Sequence, residues 1–111
     1  MHTIETIRLS EKQKQQLTIL KRRTGIANWN ILCRKALCMS LAEKTVPALE
    51  DIPSDSSVEM NWKVFAGEYA DVYLVILRQA HQRQSKQLEE INFSDFIKLH
   101  FNRGISFYLK A

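Results

Sequence analysis

A chain of 111 residues, 45% hydrophobic and 25% charged, has the composition of one ordinary globular domain and is long enough to bury roughly two thirds of its unfolded surface. Sixteen Lys+Arg against twelve Asp+Glu leave a net charge of +4, which favours an anionic partner. No apolar run approaches the ~18 residues of a membrane span and no charged-then-apolar leader opens the sequence, so a cytoplasmic protein is expected.

Residues Thr3 to Leu9 alternate well enough for a strand, with Glu5, Ile7 and Leu9 on one face and Ile4, Thr6 and Arg8 on the other. Ser10 with Gln13 three residues on is a capping-box pattern. Leu17, Leu20 and Thr24 follow at helical spacing until Gly25, which predicts a helix over 11–24. Asn28 or Asn30 caps a second helix. Its Trp29, Leu32, Cys33, Ala36, Leu37, Ser40 and Leu41 form a broad stripe, with Ile31, Cys38 and Met39 on the other side. A helix apolar over so much of its circumference is expected to pack against more than one neighbour, hence self-association.

From Lys44 to Met60, Pro47, Pro53, Ser54, Ser56, Ser57 and four acids mark an irregular acidic loop. Phe65, Tyr69, Val72, Tyr73, Ile76, Leu77 and Ala80 then recur at three and four, predicting a third helix that reaches about Gln82 and whose start is blurred by Trp62 and Gly67. The polar run Gln79 to Glu90 either prolongs it or is a solvated turn. Asn92 or Ser94 caps a short fourth helix through Phe96, Ile97 and Leu99. Gly104 serves as the left-handed residue that stops it. The expected architecture is mainly α: a ribbon-helix-helix-like strand-helix-helix (1–43), the acidic loop (44–60), and a C-terminal helical part (61–111) with two further helices, in a single oligomeric domain.

Charge follows this division. Residues 1–43 carry eight cations and three acids, a net of +5, while residues 44–111 carry eight and nine, a net of −1. Lys12, Lys14, Lys21, Arg22, Arg23, Arg34 and Lys35 lie on two helices joined at Thr24-Gly25, so several can meet one phosphate backbone and release its counterions. Backbone N–H groups near Asn28, at the start of the second helix, offer a further phosphate contact. Such contacts position a duplex without reading bases. The competing account is a set of solvated helix faces; the charge asymmetry and the strand-helix-helix order favour DNA. In ribbon-helix-helix dimers two chains pair their strands, and the outward Thr6 and Arg8 would enter the major groove. Ile4 beside them cannot read a base edge, so Arg8 ranks as a subsidiary contact. The acidic 44–60 segment could cover the basic face of a neighbour.

Enzymatic readings lack their residues. His2, His81 and His100 are far apart with no ligand-spaced Cys or carboxylate, so no metal site is expected. Cys33 and Cys38 sit five apart on one helix and point in different directions, which disfavours an intrachain disulfide, and read as buried reduced thiols. No Gly-rich phosphate loop is present, and two cysteines are too few for an iron–sulfur cluster. Trp29, Trp62, Tyr69 and Tyr73 could stack on an exposed base, but their spacing with Phe65 and Ile76 favours core packing. His100 and Arg103, on adjacent turns of the last helix, could cap its C-terminus or grip a phosphate; capping or a subunit contact is expected.

Gly67-Glu68-Tyr69-Ala70-Asp71-Val72-Tyr73 after Trp62 and Phe65, together with His100-Phe101-Asn102-Arg103-Gly104-Ile105, resembles the small E subunit of the bacterial DNA sulfur modification (phosphorothioation, Dnd) system, over nearly the whole chain. Ile7-Arg8-Leu9-Ser10 and the Arg22-Arg23-Thr24-Gly25-Ile26 turn fit as well but are common among ribbon-helix-helix proteins. The resemblance implies a non-catalytic, cofactor-free DNA-binding subunit of machinery that replaces a non-bridging phosphate oxygen with sulfur. It further implies a homotetramer that prefers nicked double-stranded DNA and works beside a cysteine desulfurase, an iron–sulfur protein and an ATPase. Two other classes remain: a ribbon-helix-helix repressor or antitoxin on a specific operator, and a protein-interaction subunit whose basic face meets an acidic partner.

Overall fold

The computed structural model describes residues 6–111; the predicted strand positions Thr3 to Glu5 lie outside them. In chain order the elements are β1 (Thr6–Arg8), α1 (Glu11–Thr24), α2 (Trp29–Ala42), β2 (Glu59–Asn61), α3 (Trp62–Ala66), α4 (Ala70–Gln84) and α5 (Phe93–Lys110). The chain is therefore mainly helical with a two-stranded ribbon, and its radius of gyration, 13.2 Å, is that of one compact domain of this length.

Helix α1 begins and ends where its cap residues place it. Ser10 accepts from the Gln13 N–H at 3.0 Å, the Gln13 side chain accepts from the Ser10 N–H at 2.9 Å, and Gly25 closes the helix with φ 75°. At α2 the cap is Asn28, whose side chain makes no capping bond; Asn30 instead donates to the Val64 carbonyl at 3.3 Å. Asn92 caps α5 by accepting from the Asp95 N–H at 2.9 Å.

The strand-helix-helix order is present, but β1 pairs within its own chain. It runs antiparallel to β2 in the register Thr6↔Asn61, Ile7↔Met60, Arg8↔Glu59, and the Leu9 N–H extends the ladder to the Val58 carbonyl at 3.0 Å. Ile7 and Leu9 turn inward while Thr6 and Arg8 face solvent. The acidic segment thus ends in a strand. Before it, the segment works as a strap: Asp55 accepts from the Glu11 N–H at 2.8 Å, Ser56 N–H donates to the Leu9 carbonyl, and Lys98 of α5 donates to Ser54.

The C-terminal half corrects three expectations. The third helix is broken, because Gly67 takes φ 71° and the Arg34 guanidinium fills the space a Cβ would need; α3 ends there, a tight turn over Gly67–Tyr69 follows, and α4 starts at Ala70. Of the stripe assigned to its core face, Phe65, Leu77 and Ala80 are buried, whereas Tyr69, Val72 and Ile76 are 60%, 54% and 44% exposed. Finally, α5 does not stop at Gly104 but runs 18 residues to Lys110. Gly104 is inside the helix because only a residue without Cβ lets α5 approach the Ala36 backbone of α2. Between α4 and α5 the chain turns through Glu89 and Glu90, both left-handed (φ 56° and 57°), at a cost of roughly 1–2 kcal/mol each.

The core is continuous. Leu9, Leu17, Leu20, Leu32, Leu37, Phe65, Leu77, Phe96, Phe101 and Ile105 are fully buried, each worth roughly 1.5–3 kcal/mol relative to exposure. Trp62 stacks on Phe65 at 5.6 Å, and Phe65 meets Phe101 edge-on, so Trp62 belongs to the core.

Candidate nucleic-acid interface

Helices α1 and α5 run side by side in the same direction. Gln13, in the first turn of α1, donates to Asn102 at 3.1 Å midway along α5, and Arg23 donates to the Leu109 carbonyl at 2.6 Å at their C-terminal ends. α2 runs the other way against α5, with Lys35 placed over the Tyr108 ring at 4.9 Å. These contacts bring Lys21, Arg22 and Arg23 of the last turn of α1, Lys35 of α2 and Lys110 of the last turn of α5 to one end of the molecule. All five are exposed. None forms an ion pair among the described residues, where the pairs are Arg8–Glu59 and Lys14–Glu11.

Cations in the last turn of a helix interact favourably with its dipole, worth ~0.3–1 kcal/mol each, and Arg23 is occupied in tying α1 to α5. The dipole favours four of the five, Lys21, Arg22, Arg23 and Lys110, but it leaves an exposed cation able to meet a second anion. Lys21, Arg22 and Lys110 have no polar side-chain partner among the described residues and are free to reach a phosphate backbone.

The other predicted residues go elsewhere. Lys12 and Lys14 sit at the opposite end of α1, about 16 Å from Arg23 for Lys12. Lys12 borders a recess with Glu50, Asp51 and Asp55 of the strap, and Lys14 lies 3.8 Å from Glu11. Arg8 is held by the Ser56 carbonyl at 3.1 Å and by Glu59 at 2.5 Å. Arg34 donates to the Ala66 carbonyl at 3.5 Å, under Gly67. Lys110 was not anticipated from the sequence; its only signal was a lone Lys at the end of an apolar-periodic stretch.

A second feature is polar and interior. Ser40, His100 and Gln84 form a buried chain, Ser40 Oγ to His100 Nδ1 at 2.8 Å and His100 Nε2 to Gln84 Oε1 at 3.0 Å. Gln84 Oε1 can only accept, so the neutral imidazole donates through Nε2 and its Nδ1 accepts from the Ser40 hydroxyl, while Arg103 Nε–H donates to the same Oγ at 2.9 Å. Burial, with Arg103 adding to it, pushes His100 down to about 4. Arg103 also donates to the Ser40 and Thr45 carbonyls at 2.8 and 2.9 Å. It therefore caps the C-terminal end of α2 rather than of its own helix.

Cys33 is buried, and burial pushes its thiol up to about 12. Cys38 is exposed, against the expectation of two buried thiols, with Sγ 3.6 Å from the Tyr73 hydroxyl. No group of three or more His, Cys, Asp or Glu among the described residues could hold a metal ion, and no described helix is long and apolar enough to cross a membrane.

The arrangement is that of a small helical protein whose N-terminal ribbon and strap clasp three packed helices and whose cations gather at one end. The chain belongs to the family described as DNA sulphur modification protein DndE, which it matches over residues 6–111. Among solved structures it is similar to DndE from Escherichia coli B7A involved in DNA phosphorothioation modification, at 21% identity and TM-score 0.76, covering 96% of this chain and 97% of that one. It is also similar to a mutant form of DndE involved in DNA phosphorothioation, at 18% identity and TM-score 0.74, covering 96% and 99%. No curated protein sequence matches it.

Proposed function

We propose that this chain is the non-catalytic DNA-binding subunit of a phosphorothioation machinery, acting in the cytoplasm. It grips the DNA backbone at its cationic end and docks with the sulfur-transfer and ATPase subunits. The observation that carries this reading is the group Lys21, Arg22, Arg23, Lys35 and Lys110 on one end without an ion-paired carboxylate among the described residues. Family membership supplies the pathway. Lys12 and Lys14 contribute at longer range, while Arg8 and Arg34 keep the fold.

The protein acts as a homo-oligomer, a tetramer by the resemblance, through the outer face of α3 and α4. Val64, Tyr69, Val72, Val75 and Ile76 are each 44–60% exposed there, an apolar surface of the kind that marks an interaction site. A ribbon-helix-helix repressor is less well supported, since β1 already has a partner in β2.

The test is a titration on matched intact, nicked and single-stranded DNA at two salt concentrations. Tight, salt-sensitive binding that favours the nick is expected; equal affinity for all three would remove the nick preference, and no binding to any would remove DNA contact from the proposal.

A further inference from the structure

At the other end of α5 from the cationic patch, the strap and the start of the helix enclose a cleft of about 430 Å³. Leu49, Ile52 and Ile91 give it an apolar lining, and Glu50, Asp51 and Asp95 line it with three carboxylates against one cation, Lys98. Leu49 is 47% exposed, an apolar side chain left open to solvent beside the half-buried Ile52 and Ile91. Asp95 lies in the first turn of α5, where a helix dipole favours it. Glu50 and Asp51 come from the strap, where they also border the recess that Lys12 lines.

None of the three carboxylates is ion-paired among the described residues, although Lys98 borders the same cleft; Lys98 donates to Ser54 instead. Glu50 accepts only a long bond from Asn102, at 3.4 Å. The negative rim repels nucleic acid, and the apolar lining goes unused by a simple cation.

We propose that this cleft docks a basic segment of a partner protein. An aliphatic side chain covers Leu49, Ile52 and Ile91, and flanking Lys or Arg side chains meet Glu50, Asp51 and Asp95. Apolar anchoring gives affinity, and the complementary charge gives orientation and partner choice. The proposal rests on the reading of this chain as one subunit of a larger machinery. Asp95 and Lys110 are 15 residues apart on α5, about 22 Å, so a partner in the cleft and DNA at the patch can be held together.

The test uses the full chain, labelled, on peptides tiled across the other subunits of the sulfur modification machinery and across this chain itself. Binding should concentrate on partner peptides in which Lys or Arg flank Leu, Ile or Val. It should weaken at least about tenfold in Glu50→Lys/Asp51→Lys and also in Leu49→Ser, a variant that leaves every charge in place. The affinity of Glu50→Lys/Asp51→Lys for nicked duplex should not fall. Binding to no partner peptide, binding only to peptides of this chain, or binding unchanged in both variants would overturn the proposal. Peptide docking without any DNA affinity would leave the cleft standing and sink the DNA reading instead.

Discussion

Gly104 of α5 lies against the main chain of Ala36 on α2, so close that a Cβ at position 104 would stand 1.8 Å from the Ala36 carbonyl oxygen. In an exposed helix, exchanging Gly for Ala gains ~1 kcal/mol. Here the obstacle is backbone, which cannot rotate away, so the two helices must part. Gly104→Ala should lower stability by at least about 1–3 kcal/mol, read as a lower urea midpoint. A midpoint equal to or above that of the parent would contradict the close approach.

His100 makes stability depend on pH in a defined direction. Its folded pKa, about 4, lies below the ordinary 6.5, so the unfolded chain takes up the proton first. The contribution is complete above pH ~6.5 and is lost as pH falls toward 4, amounting to about 3 kcal/mol. Urea midpoints at pH 7.5 and 4.5 measure it. His100→Gln should be less stable at pH 7.5 yet show a shallower loss over the same interval; an unchanged slope would mean that other groups carry the effect.

The outer face of α4 should be needed for assembly and not for folding. Val72→Glu/Ile76→Glu changes two residues already 54% and 44% exposed, where substitutions cost within about 0.5 kcal/mol. Light scattering after size exclusion should show smaller particles with unchanged helical circular dichroism. Particles of the parental mass would place the interface elsewhere.

The two thiols should separate under native conditions. Cys38 is open to solvent, while Cys33 is buried and pushed up to about 12; the thiolate is the reactive form. An aromatic disulfide reagent should therefore titrate one thiol in the folded protein and the second only after denaturation. Two fast native thiols would contradict the burial of Cys33.

What could be read beforehand was local. The ends of α1 follow from Ser10, Gln13 and Gly25 because caps act within four residues. Gly104 reads as a helix stop for the opposite reason: a glycine that ends a helix and one that admits a neighbouring helix look alike until Ala36, 68 positions away, is in place. β2 is three residues long, and its pairing with β1 spans the strap, so no periodicity announced it. The α4 stripe reads too wide in the sequence because Val72 and Ile76 are as apolar as the buried Leu77. At the candidate site, Lys21 to Arg23 stood out as a run. The withdrawal of Arg34 beneath Gly67 and the arrival of Lys110 depend on how the helices pack.

If the shared C-terminal end of α1 and α5 holds DNA, fluorescence anisotropy on a nicked duplex across a salt series will show it. Lys21→Glu/Arg22→Glu/Lys110→Glu should bind far more weakly than the parent, with a salt slope reduced by roughly one for each phosphate that is no longer neutralised. Lys12→Glu/Lys14→Glu, at the acidic end of α1, should change both much less. Equal losses in the two variants, or a larger loss in the second, would contradict the account.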